Sequence, residues 1–78
     1  MSKKSILDEW HAFAMKTMPF VSTTAGEIYF QLTDDLVWEY GDCCNTGLIV
    51  DGRRKYDRNK TLDENIYDVV EKIKDTYN

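Results

Sequence analysis

The spacing of apolar residues changes twice along this chain, and that change limits what it can fold into. From Ser5 to about Met18 the spacing is helical: Ile6, Trp10, Phe13 and Thr17 line one face, with Leu7 and Ala14 beside them. Between Ile28 and Tyr40 the period is two. Ile28, Phe30 and Leu32 alternate with Tyr29, Gln31 and Thr33, and Leu36, Trp38 and Tyr40 alternate with Val37 and Glu39. From Leu62 the helical period returns, with Leu62, Ile66, Val69, Val70, Ile73 and Tyr77 as a stripe. Two amphipathic helices flanking strands with one apolar face predict an α+β domain, its antiparallel sheet covered on one face by both helices.

Punctuation sets the expected boundaries. Ser5 can cap the first helix, Asp8 and Glu9 then fall in its first turn near the positive end of the dipole, and Pro19 disfavours helix at Met18. The polar stretch from Ser22 to Gly26 reads as a loop. Asp34-Asp35 marks a hairpin. A two-residue loop there would split the apolar residues between the sheet faces. A three-residue loop sets Leu32 opposite Leu36, Phe30 opposite Trp38 and Ile28 opposite Tyr40, leaving Tyr29, Gln31, Val37 and Glu39 on the far face. Gly41 to Gly47 reads as a loop, Leu48-Ile49-Val50 as a strand, Asp51-Gly52 as a type I′ turn, and Arg53 to Asp57 as a cation-rich edge strand. Thr61 and Glu64 form a capping box before the last helix. The expected order is α-β-β-β-β-α, in a single domain over residues 1–78.

A chain of 78 residues buries only roughly 60% of the surface exposed by its unfolded state. Aromatic residues, 13% of the chain, must therefore carry the core, with Trp10, Trp38, Phe13, Phe20, Phe30 and several tyrosines as the expected members. Fourteen Asp and Glu against ten Lys and Arg give a net charge of -4, which argues against binding nucleic acid or an anionic membrane through overall charge. No apolar run approaches the roughly 18 to 20 residues of a membrane span, and Met1 to Trp10 has no apolar core behind its two lysines. The expectation is a cytoplasmic protein.

Residue supply restricts the chemistry. Adjacent cysteines, Cys43 and Cys44, make a poor disulfide, and with only one histidine, His11, they cannot complete a zinc site. A thiol nucleophile would need His11 as base and Asp42 as orienter, but Asp42 beside the cysteines should raise a thiol pKa. Asp34 and Asp35 could hold a hard cation with Asp42 or Glu39, although a turn is the commoner use of such a pair. The four glycines are too scattered to cradle a phosphate. No catalytic residues, metal site or cofactor are expected.

Binding surfaces are better supplied. Glu64, Asp68, Glu71 and Asp75 follow one another by turns on one side of the last helix, opposite its apolar stripe, with Lys72 placed to pair with Asp68. The row's spacing of roughly 5 to 6 Å is close to that of phosphates along a strand, so it could meet a partner protein with a basic nucleic-acid-binding groove. Tyr29 and Val37 on the far sheet face offer a second surface. The alternative is a nucleic-acid binder using Arg53, Arg54, Lys55, Arg58 and Lys60 around Tyr56. In size, charge and lack of a catalytic constellation the chain resembles the small inhibitors of phages and mobile elements, anti-CRISPR proteins and nucleic-acid mimics among them. The likeness is one of composition and is carried by no motif. It implies an inhibitor or adaptor that binds another macromolecule.

Overall fold

The computed structural model describes residues 2–78, which form helix α1 (Lys3–Lys16), strands β1 (Phe20–Thr23), β2 (Gly26–Leu32), β3 (Val37–Cys44) and β4 (Gly47–Lys55), and helix α2 (Leu62–Tyr77). The strands make one antiparallel sheet in the order β1-β2-β3-β4, with both helices on the same face. The α+β class and the order α-β-β-β-β-α are as the periodicity predicts, but two of the four strands are not the predicted ones.

Helix α1 starts earlier than its apolar spacing suggests, because Ser2 rather than Ser5 is the cap: the Ser2 hydroxyl accepts the Ser5 N–H at 3.1 Å. Asp8 and Glu9 consequently miss the first turn, which holds no acidic residue. The helix stops at Lys16, where Thr17 donates its N–H to the Phe13 carbonyl at 2.9 Å.

Ser22 and Thr23, expected as loop, join Phe20 and Val21 in β1, which pairs Phe20 with Tyr29 and Val21 with Ile28. Val21 is its only buried side chain, so the strand carries too little alternation to be read. Phe20, expected in the core, lies on the far face beside Tyr29 and is 37% exposed.

The β2–β3 hairpin has the predicted loop length in a shifted position. Its loop is Asp34-Asp35-Leu36, closed by the Thr33 N–H donating to the Val37 carbonyl at 3.0 Å, so Leu32 pairs with Trp38 and Phe30 with Tyr40. A shift of two residues preserves facing. Leu36 takes the left-handed corner of the loop, φ 59°, a position disfavoured for a bulky side chain. That side chain is buried, which offsets the strain.

The segment from Gly41 to Cys44 continues β3 instead of forming a loop, and the hairpin to β4 turns at Asn45-Thr46, since Cys44 pairs with Gly47. Asp51-Gly52 is no turn. Tyr40 opposes Gly52 and Gly41 opposes Val50, so Asp51 is the extra residue of a bulge and β4 runs on to Lys55. The neighbouring glycines permit close approach: a Cβ on Gly41 would collide with the Ile49 carbonyl oxygen, and one on Gly52 would meet the Tyr40 ring at 2.5 Å. β4 is an edge strand, as its cations suggest.

Helix α2 begins with the capping box, Thr61 accepting the Glu64 N–H at 3.1 Å and Glu64 accepting the Thr61 N–H at 2.9 Å. Asn65 lies one turn in, only 3% exposed. Its amide accepts the Asp57 N–H at 2.7 Å and donates to the Asp57 and Thr61 carbonyls at 2.9 Å, clamping the loop that leads into the helix. At the other end, Tyr77 donates to Asp51 Oδ2 at 3.0 Å, and the Asn78 side chain accepts the Thr24 N–H at 3.0 Å. Beneath the helices the core centres on Trp38, fully buried, with the Trp10 ring perpendicular to it at 5.0 Å and Phe30 at 5.9 Å. Phe13 is half-buried beside this cluster.

Candidate binding surfaces

With both helices on one face of the sheet, the register puts Phe20, Tyr29, Gln31, Val37, Glu39, Arg53 and Lys55 on the other. Its middle is polar and cross-linked: Gln31 Nε2 donates to Glu39 Oε1 and Arg53 Nε to Glu39 Oε2, both at 3.1 Å. One end is aromatic. The Phe20 and Tyr29 rings lie 5.7 Å apart, and Met18, 65% exposed, has its sulfur 4.0 Å from the Tyr29 hydroxyl. Of the four residues predicted on this face, Tyr29 and Val37, the two expected to bind a partner, are half-buried. Phe20 and Met18 were not predicted. The signal that could have found them is the Phe20-Val21 pair after Pro19, too short to show a period.

On α2, Glu64, Asp68, Glu71 and Asp75 do lie away from the buried positions Leu62, Asn65, Val69 and Ile73. The row is not four equivalent charges. Glu64 is engaged in the capping box, and Asp68 is bound by Lys60 Nζ at 2.8 Å, rather than by Lys72. That ammonium holds the Asp68 carboxyl below its ordinary pKa. Glu71 is half-buried and Asp75 exposed, and neither has an ion pair among the described residues.

The basic run is also divided by the fold. Arg53 is paired with Glu39 at 3.1 Å and Lys60 with Asp68, whereas Arg54, Lys55 and Arg58 have no salt bridge among the described residues. Arg54 sits opposite Trp38, on the helix side of the sheet, while Lys55 sits opposite Val37, on the far side. Five adjacent cations therefore do not form one patch.

His11 and Cys43, unconnected in sequence, line the same cavity of about 470 Å³, but no hydrogen bond joins them among the described residues. Cys43 and Cys44 are both exposed free thiols. The Cys44 thiol is lowered from its ordinary pKa, first by a hydrogen bond with the Thr46 hydroxyl and then by the Thr46 backbone, against the expected upward push from Asp42. Asp34 and Asp35 occupy the loop at one end of β3, and Asp42 lies near the other end, while Glu39 is committed to Arg53 and Gln31. No group of three or more His, Cys, Asp or Glu is arranged to hold a metal among the described residues. Among these residues, too, no helix is long and apolar enough to cross a membrane. No protein-family profile, curated protein or solved structure matches the chain.

Proposed function

We propose that the chain is a protein-interaction module, an inhibitor or adaptor, that docks on its partner through the sheet face opposite the helices. The supporting observation is the Phe20–Tyr29 ring pair with Met18 beside it, left open to solvent where a domain this short of core residues has every reason to bury aromatics. Aromatic residues and methionine are the types enriched at the centres of protein interfaces. The hydrogen-bonded Gln31–Glu39–Arg53 group supplies a polar border to the patch. The acidic residues of α2 offer a second surface, reduced to Glu71 and Asp75, which have no ion pair among the described residues.

Affinity capture from a native lysate, with and without nuclease, tests this reading. A protein retained by the wild-type chain in both conditions, and lost with Phe20→Ser and Met18→Ser together, is the expected result. Retention that depends on nucleic acid, or that is indifferent to those substitutions, overturns it.

A further inference from the structure

Between the start of α1, the end of β4 and the loop before α2 lies a cleft of about 320 Å³, and three cations reach its walls from these separate elements: Lys3, Lys55 and Arg58. We propose that this cleft is a binding site for a phosphate ester. Protection of the β4 edge accounts for Lys55 but not for Arg58, which lies past the strand, nor for Lys3, which comes from a helix. Neither Lys55 nor Arg58 has an ion pair among the described residues, and Lys3 approaches only Asp35, at 4.0 Å. Asp35 is the single carboxylate of the lining, and its side chain is 91% exposed.

An excess of two positive charges converging on one concavity, in a chain of net charge -4, selects the ligand by charge. A phosphate monoester carries about -1.5 to -2 at neutral pH and can accept a guanidinium in two-pronged fashion, whereas a carboxylate brings one charge. Leu36, Val37 and Tyr56 complete the lining and give the organic part of the ester an apolar wall. Val37 also belongs to the open sheet face, so the cleft borders the proposed docking surface without depending on it.

The test uses the full chain and follows backbone amide resonances during titration with phenyl phosphate, adenosine monophosphate and adenosine. Both phosphates should shift Leu36, Val37 and Tyr56 saturably, and adenosine should not. Lys55→Gln with Arg58→Gln should weaken binding roughly tenfold or more, by loss of charge-assisted hydrogen bonds. Lys16→Gln with Lys72→Gln, which removes equal charge elsewhere, should change it by less than about twofold. Lys3→Gln, on the exposed first residue of α1, gives an independent variant with the same expected direction as the cleft pair. Adenosine monophosphate and a short DNA strand with and without a 5′ phosphate separate the sources. Preference for the phosphorylated strand over the mononucleotide assigns a strand end, and equal or weaker binding of the strand assigns a free ester. Absence of saturable shifts, equal loss in the control pair, or equal binding of both strands with shifts spread along residues 53–60 overturns the proposal.

Discussion

At the scale of single residues, stability rests on side chains with very different reasons for being buried. Trp38 is fully buried, and its indole N–H has no hydrogen-bond partner among the described residues, the rings of Trp10, Phe30 and Tyr56 packing around it. Trp38→Ala is expected to cost about 3 to 5 kcal/mol by urea denaturation, and Trp38→Phe less, because it keeps a ring and removes the orphaned donor. Tyr29→Ala, on the open face, should cost less than either. The reverse order would mean that the sheet faces are swapped. Asn65 works through polar bonds: Asn65→Ala would leave the Asp57 N–H without its partner, while the Asp57 and Thr61 carbonyls keep the backbone N–H groups of Lys60 and Asn65, at about 1 to 3 kcal/mol for the one group left unsatisfied. Asn65→Leu should fail to recover that loss, since volume is not what the site lacks. The capping box declares itself locally, three residues apart, while Asn65 binds backbone up to eight residues away, so nothing in the spacing of α2 distinguishes it from a solvated position.

At the scale of elements, α2 is held at both ends, and its C-terminal hold is sensitive to pH. Burial, and then the hydrogen bond to Asp51, push the Tyr77 hydroxyl up to about 12. An unfolded tyrosine titrates near 10, so the folded state binds this proton more tightly. The corresponding stability is fully present below about pH 10 and is lost as the pH rises toward about 12. Denaturation midpoints followed through this window should fall more steeply for the wild type than for Tyr77→Phe. An unchanged slope would show that the Tyr77–Asp51 contact does not hold the helix. On the same element, changing Glu64, Asp68, Glu71 and Asp75 to their amides should leave α2 folded, because glutamine can serve in the capping box and all four lie away from the buried positions. If this row contributes to partner binding, the loss should appear in the association rate and shrink with added salt, both readable by surface-immobilised kinetics.

At the scale of the whole molecule, charge is segregated more finely than the net value suggests, and function should follow the segregation. Neutralising Arg54 should leave capture of a protein partner intact, since it lies on the helix side of the sheet, away from the proposed docking face. Loss of all retained material with that variant would favour contact with nucleic acid along the hairpin. Cys43→Ser with Cys44→Ser should likewise leave capture unchanged; loss of activity with unchanged stability would instead implicate the thiols and His11 across their shared cavity. The sequence alone determined the features that depend on neighbours within a few residues: the period of each helix, the alternation that turns Trp38 and Tyr40 inward, and the Thr61–Glu64 box. Tertiary structure decided what depends on remote partners. The Asp51-Gly52 pair suits a turn by its sequence, but neither residue takes a positive φ, and pairing with β3 makes Asp51 the extra residue of a bulge and uses Gly52 for close approach to the Tyr40 ring. β1 exists because β2 offers it an edge, although its own four residues bury one side chain. Lys3 stands more than fifty positions from Lys55 and Arg58, and only the packing of α1 against the sheet brings their charges to one cleft.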